Sequence, residues 1–406
     1  MKILCIFGRH AYGKPSRGEG YEHANFLPAL RALGHEVELF DSFDRTAYAD
    51  FAELNLRLVD CVIAYRPEVV FCVLMHYEIW FETLDLVRFR TPALVINWGT
   101  DDSWKFQQFS QFLAPHVDLH VTTDAAAVAK AGRAGLTNIV GSQWAASSAR
   151  LAEPLAAAEC SYDVSFVGAA YGNRRSMISA LARRGVSVAC FGHGWEHGAI
   201  NSSDVDRIYR RSRISLNFAD SGLQLSGSKI ARSRQIKART FEVPGAGGML
   251  LTEDADRLDS YLQPGQEIVT FSGVDDLALK VHHFLSRPQE RDAIAHAGHM
   301  RVCRDHVYES RFNAIFATLR NLRRGGQERK WQLARADLDT HVARYRGAPV
   351  LRRAATATAA LSRTLLRTDR ASRALRRFAF EASWRLCGES TYRAAGWPGR
   401  LFYSDS

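Results

Sequence analysis

Between Lys237 and Leu251 the chain reads Lys-Ala-Arg-Thr-Phe-Glu-Val-Pro-Gly-Ala-Gly-Gly-Met-Leu-Leu. Lys237, Arg239 and Glu242 fall within one short stretch, followed by Gly245, Gly247 and Gly248 and then an apolar run. Cations beside a glycine-rich turn suit a bound diphosphate, and a carboxylate nearby can accept hydrogen bonds from a ribose. The same residue types also suit a surface helix that ends in a turn, so the rest of the chain has to decide. Two more glycine turns follow apolar runs. Phe166-Val167-Gly168 leads into Tyr171-Gly172-Asn173-Arg174-Arg175, and Phe191-Gly192-His193-Gly194-Trp195 closes the next run. Glycine there permits positive φ and lets backbone approach a ligand. Gly168, Arg174, Gly192 and Trp195 therefore join Gly247 and Gly248 as candidate binding residues.

The elements that must position these groups alternate along the chain. Strand-like segments are Lys2–Phe7, Glu36–Phe40, Val69–Met75, Ala93–Asn97, Leu119–Thr122 and Asn138–Val140, with helical stretches such as 21–33, 47–65 and 124–134 between them. Such alternation predicts a parallel sheet with crossover helices. Gly34 after Leu33 suits a helix C-cap. Residues 151–161, Ala-rich with Pro154, read as an interdomain connection. A second series follows, with strands at 164–167, 186–191, 214–218, 249–252 and 268–271 and helices between them. Two strongly helical segments, 289–301 and 309–322, close it. The predicted class is α/β, with a doubly wound Rossmann-like domain over 1–155, a second over 156–322 and a basic helical extension over 323–406. Ligands in such sheets sit beyond the carboxyl ends of the strands.

At 406 residues and 47% hydrophobic, the chain is long enough for two or three domains with buried cores. Its longest apolar run, Val69 to Met75, falls far short of the roughly 20 residues that span a bilayer. The apolar part near the start, Ile3 to Phe7, is too short for a signal peptide and reads as a first buried strand. Seven cysteines form no C-x-x-C pair and read as reduced thiols of a cytoplasmic protein. Charge is segregated. From Asn321 onward there are 18 Lys and Arg against 7 Asp and Glu; subtracting these from the chain's 53 and 43 leaves 35 cations and 36 anions. A nearly neutral body thus carries a cationic tail.

Residues Gln235 to Gly248 closely resemble the signature of CgeB-type, spore-maturation-protein-like glycosyltransferases. The resemblance continues through Pro264–Val269, Arg291–Ala295 and Arg304–Tyr308. Upstream it takes in Asn97-Trp98, Asp101–Phe106, Ser142–Ala145 and the glycine turns, covering roughly residues 1–320. It implies the two-domain GT-B fold and a nucleotide-diphospho sugar as donor, with no further cofactor. In that reading Glu242 resembles the carboxylate that holds the nucleotide ribose, and Lys237 and Arg239 resemble diphosphate partners. Many retaining GT-B enzymes carry a glutamate eight residues before this one; here that position is Arg234. Sugar-nucleotide epimerases share the fold, and a non-catalytic assembly homologue is the further alternative. Nothing structural demands the Lys237, Arg239 and Glu242 trio, which argues for catalysis.

Glycosyl transfer releases a nucleoside diphosphate, and positioned cations with backbone N–H groups can stabilise its growing charge without a metal. Asp204/Asp206, Asp254/Asp256 and Asp337/Asp339 match an Asp-x-Asp pattern, but the first two open helical stretches, where aspartate caps; no metal is expected. A base for the acceptor hydroxyl would come from the first domain. Candidates are Glu22 near the first glycine-rich loop, His76 and Glu78 after the third strand, and Asp101 and Asp102 after the fourth, with Asp101 and Glu22 preferred. The expected acceptor is a glycan, lipid-linked or protein hydroxyl, in cell-surface glycan synthesis. In the tail, Leu361, Leu365, Leu375, Phe378, Ala382 and Leu386 recur at near-helical spacing among arginines. That pattern suits an anionic inner-membrane surface, or packing on the body or on a partner subunit. No recognised nucleic-acid module accompanies the charge, so nucleic acid is an unlikely partner.

Overall fold

The structure, a computed structural model, describes residues 1–226, 229–325, 329–347 and 369–402. Residues 2–141 build the first sheet. In chain order come β1 (Lys2–Phe7), α1 (Tyr21–Ala32), β2 (Glu36–Asp41), α2 (Phe51–Tyr65), β3 (Val69–Cys72), α3 (Phe81–Arg90) and β4 (Leu94–Gly99). Then follow α4 (Asp102–Lys105), a run of short helical turns to His116, β5 (Leu119–Thr122), α5 (Ala125–Arg133) and β6 (Ile139–Gly141). All six strands pair in parallel, in the order β2-β1-β3-β4-β5-β6.

A parallel sheet buries both faces, so β1 is apolar from Ile3 to Phe7 rather than alternating. Ile3, Cys5 and Phe7 meet Phe26 and Leu30 of α1. Leu4 and Ile6 point the other way, to Phe51, Leu54 and Val62 of α2. Capping sets the helix starts: Asp50 accepts from the Glu53 N–H at 2.8 Å, and Asp124 from the Ala127 N–H at 3.1 Å. The expected C-cap glycine, Gly34, has φ +77° and ends α1 just before β2.

The second sheet is built from β7 (Tyr162–Val167), α6 (Arg174–Ala182), β8 (Ala189–Phe191), α7 (Ser202–Arg210) and β9 (Ser212–Asn217). After it comes an antiparallel hairpin, β10 (Asp220–Ser226) with β11 (Lys229–Arg234). Its pairing owes little to local apolar pattern; the hairpin abuts α4 of the first domain. Next come α8 (Arg239–Gly245), β12 (Leu250–Glu253), β13 (Val269–Phe271), α9 (Val274–Ser286), α10 (Pro288–Asp305) and α11 (Tyr308–Gly325). The five strands pair in parallel as β13-β12-β9-β7-β8.

The last helix of the second series and the described parts of the tail both pack on the first domain. Helix α11 does not complete the second domain; it returns to the first. Tyr308 and Phe312 lie 4.9 and 5.3 Å from the Phe26 ring, and Phe312 lies 6.1 Å from Trp98. Burying each such side chain contributes about 1.5–3 kcal/mol, which pins the returning helix to the first sheet. The described parts of the tail are also docked. Trp331, Leu338 and Tyr345, around α12 (Asp339–Arg346), join Phe51, Phe81 and Leu84 in one core, as do Phe380 of α13 (Asp369–Cys387) and Tyr392. The Ala394 N–H donates to the buried Glu82 carboxylate at 3.1 Å. Leu361 and Leu365 lie outside the described residues. All seven cysteines are free thiols. Among the described residues no helix is long and apolar enough to cross a membrane.

Candidate active site

The carboxyl ends of the two sheets face each other across a cleft of about 980 Å³. On the second-domain wall, Lys237 precedes α8, Arg239 opens it and Glu242 lies one turn on, all lining the cleft. The start of one short helix and the turn before it therefore present both cations and the carboxylate together. Gly168 lines the same wall at the end of β7, and it makes room for the cations. A Cβ there would stand 3.1 Å from an Arg239 guanidinium nitrogen and 3.4 Å from one of Arg174. Arg239 is aimed by Nε donating to Asn217 Oδ1 at 3.0 Å.

Arg174 is buried behind this wall. It donates to the Ala169 carbonyl at 2.8 Å and to the Tyr171 hydroxyl at 3.0 Å, with its guanidinium 3.9 Å from the Tyr171 ring centre. Burial, with Arg239 beside it, pushes its pKa down to about 10. Trp195 Nε1 donates to the Gly168 carbonyl at 2.7 Å, and a Cβ on Gly192, at φ +122°, would strike that same carbonyl at 2.6 Å. These two residues shape the Gly168 turn from outside the cleft lining. Gly247 and Gly248 lie away from it: Cβ atoms there would meet the Ala152 and Tyr209 carbonyl oxygens at 2.6 and 2.7 Å. Their place is close packing of the turn after α8 against the interdomain connection and α7.

Burial controls the protonation of this wall. Lys237 is pushed down to about 8 by burial, opposed by Asp101 and reinforced by Arg239 and Arg174. Glu242 is pushed up by burial, while Arg239 and a hydrogen bond from Tyr21 favour its anion. A buried cluster of three cations, partly supported by Asp101, is what a diphosphate would complete.

The first-domain wall carries Glu22 and Asp101. Asp101 is the N-cap of α4 through its carbonyl, which accepts from the Lys105 N–H at 2.9 Å; its carboxylate makes no cap bond. Burial, reinforced by Asp101, raises Glu22 to about 6, against the pull of its own backbone N–H at the start of α1 and of Lys105. A carboxyl titrating there is an effective base near neutral pH.

The other two acids and His76 are placed differently. Glu78 is buried and accepts from the Met75 and His76 N–H groups at 2.6 and 2.8 Å, so its carboxylate holds the turn after β3. His76 packs 5.0 Å from the Phe380 ring of the tail, and burial holds its pKa well below the usual imidazole value. Neither lines the cleft. Asp102 turns inward, 2.9 Å from His120 Nε2 and 2.5 Å from Ser110 Oγ, and braces the loop that carries Asp101. Of the Asp-x-Asp pairs, Asp204 is paired with Arg207 at 2.9 Å, and Asp254 and Asp256 are exposed in a loop rather than opening a helix.

Several groups at the cleft escaped the sequence reading. Tyr21 bonds Tyr308 hydroxyl to hydroxyl at 2.8 Å and reaches Glu242 across the domain boundary. Arg150, in the connection, donates to the Ala24 carbonyl at 3.3 Å and sits 3.6 Å from Asp206. Asp206 is raised to about 7 by burial, against Arg150 and with Glu242 adding to the rise. Lys105 lies beneath the acidic wall, its pKa lowered by burial and supported by Asp101, Glu78, Asp102 and Glu22. Tyr12, 72% exposed at the rim with φ +55°, is a strained non-glycine position of the kind that gathers at functional sites. Of these, Asp206 carried only an Asp-x-Asp spacing, and Lys105 and Tyr308 lay in blocks that suggested function; Tyr21, Arg150 and Tyr12 carry no local spacing signal. The walls are tied by Ser103 Oγ donating to Gln235 Oε1 at 2.5 Å and Ser202 Oγ to Glu19 at 3.1 Å.

Residues 174–317 match the family described as glycosyl transferase-like, a span that holds Arg174, Lys237, Arg239 and Glu242. No curated protein is significantly similar in sequence. Among solved structures, sucrose-phosphate synthase from Thermosynechococcus elongatus superposes with TM-score 0.56 at 10% identity, covering 80% of this chain and 100% of that one. Anabaena HepE, in complex with UDP and glucose, gives 0.53 at 13% identity, covering 79% and 100%. AviGT4, a glycosyltransferase involved in avilamycin A biosynthesis, gives 0.51 at 12%, covering 80% and 98%. The chain has the GT-B fold of these glycosyltransferases, two parallel-sheet Rossmann-like domains, with a glycosyl transferase-like region spanning most of the second.

Proposed function

We propose that the chain is a metal-independent glycosyltransferase that moves a sugar from a nucleoside diphosphate to an acceptor hydroxyl. The observation that carries this reading is the opposition of two walls. Lys237, Arg239 and Glu242 converge on one side of a single cleft, and Glu22 and Asp101 stand on the other. The diphosphate would lie against Lys237, Arg239 and the Gly168 turn, with the ribose on Glu242. Asp101 or Glu22 takes the acceptor proton, the acceptor oxygen bonds the anomeric carbon, and the bond to the β-phosphate oxygen breaks. Its electron pair passes to the diphosphate, where the two cations stabilise it. These cations supply the charge that a divalent ion supplies elsewhere.

The HepE structures with UDP, and with UDP-glucose, support a nucleotide-diphospho sugar as the donor class. Assignment to the CgeB-type subgroup, and to surface-glycan synthesis, rests on the sequence resemblance. Free thiols buried at Cys5, Cys72 and Cys190 support residence in the reducing cytoplasm. The test is calorimetry and donor turnover across a panel of nucleotide sugars in excess EDTA. The reading expects one donor to bind and to turn over despite chelation. Loss of turnover on chelation, restored by a divalent ion, would overturn metal independence. Inversion at a sugar carbon without release of nucleotide would assign an epimerase instead.

A further inference from the structure

Helix α13 has two apolar faces, and the fold uses one of them. Ala379 and Phe380 are buried, with Phe380 on His76 and on Tyr77 at 5.9 Å, and Ser383 bonds Thr391 at 2.9 Å. On the adjoining side Leu375, Phe378 and Leu386 are 40%, 72% and 84% exposed. At about 100° per residue, Leu386 falls roughly 20° and Phe378 roughly 60° from Leu375, so the three form one stripe. An extension that only packs on the body needs a single apolar face. This one keeps a second face exposed, with Arg385 at its edge; by the same spacing Arg376 falls on the packed side, near His76, and Arg377 on the far side of the helix. Glu381, on the same helix, is engaged by Arg385.

We propose that this outer face of α13 docks on an anionic lipid bilayer. An exposed Phe/Leu stripe on an arginine-rich helix is the composition of an interfacial helix, with the apolar side chains entering the acyl boundary and nearby guanidinium groups such as that of Arg385 meeting lipid phosphates. Charge selects this occupant over a second copy of the chain. The last 86 residues carry 18 Lys and Arg against 7 Asp and Glu, so two such surfaces repel, whereas an anionic bilayer attracts them. Docking there would hold the cleft near an acceptor carried in the membrane. The surface itself stands independently of the donor reading.

The experiment is co-sedimentation of the full chain with phosphatidylcholine vesicles and with vesicles rich in phosphatidylglycerol. Wild type should bind the anionic vesicles, with binding falling about tenfold or more between 0.1 M and 1 M salt as the screening length shrinks from about 10 to about 3 Å. Phe378→Ser with Leu386→Ser should weaken binding by about tenfold or more while thermal melting is kept, because both residues are exposed; the single Phe378→Ser should fall between. Equal binding to neutral vesicles, or unchanged binding by folded variants, would overturn the proposal. So would a wild-type dimer, seen by sedimentation velocity, that the double substitution converts to monomer. Nucleotide-sugar binding by the same samples reports separately on the cleft, so the two readings fail independently.

Discussion

The two walls of the cleft handle buried charge in opposite ways. On the second-domain side Lys237, Arg239 and Arg174 crowd together; burial lowers Lys237 to about 8 and Arg174 to about 10. On the first-domain side Glu22 is raised to about 6, with Asp101 adding to the rise and Lys105 opposing it. Each wall holds charges that cost stability when the cleft is empty, and each partly offsets the other across the gap, since Asp101 supports the charge on Lys237. The cations wait for an anion and the carboxylates wait for a proton. A site of this kind trades stability for readiness.

The largest effects should come from the acidic wall. Asp101→Asn or Glu22→Gln should lower transfer by about 10²–10⁴-fold, with nucleotide-sugar affinity in calorimetry close to wild type. Near-normal transfer in both variants would move the base away from this wall. If transfer also survived His76 and Glu78 substitutions, the proton would have to leave without a protein base.

Lys237→Ala and Arg239→Ala should lower both turnover and donor affinity, by about 10²-fold in kcat/KM, since leaving-group charge grows toward the transition state. A change in KM alone would reduce them to ground-state binders. Glu242→Ala should weaken donor binding by roughly 10–100-fold through lost ribose hydrogen bonds. Unchanged affinity would remove Glu242 from the site and leave its Tyr21 contact as its role.

The pH dependence separates the walls further. Lys237 loses its proton as pH rises through about 8 in the empty cleft. Donor affinity, titrated calorimetrically in buffers of different ionisation enthalpy, should therefore fall above pH 8 with proton uptake on binding, and this should vanish in Lys237→Ala. Glu22 has the opposite sign of linkage to a salt-bridged acid. Its folded pKa of about 6 lies above the ordinary carboxyl value, so its contribution is fully present at low pH and is lost as pH rises from about 4.5 through 6. Glu22→Gln should therefore raise stability at pH 7, by about 2 kcal/mol at most, while transfer is lost. A variant both inactive and less stable would count against a strained catalytic carboxylate.

The sequence by itself determined the two α/β series and the grouping of Lys237, Arg239 and Glu242 on one wall of the cleft. Strand and helix periods are local, and Lys237, Arg239 and Glu242 lie close together because Lys237 stands two residues before Arg239 opens α8 and Glu242 follows one helical turn later. Only the tertiary structure decided which acid faces the cleft. Glu22, Glu78, Asp101 and Asp102 are all acids in loops or at helix starts after strands, yet Glu78 is taken by two backbone N–H groups and Asp102 by His120 and Ser110. That competition is settled by partners distant in sequence. The same holds for Tyr21 and Arg150, drawn to Glu242 and Asp206 from another domain and from the connection, and for α11, whose aromatic face fits either sheet by pattern alone. Spacing along the chain fixes what neighbours in sequence can do together. Which distant groups a side chain meets is fixed only when the sheets close on one another.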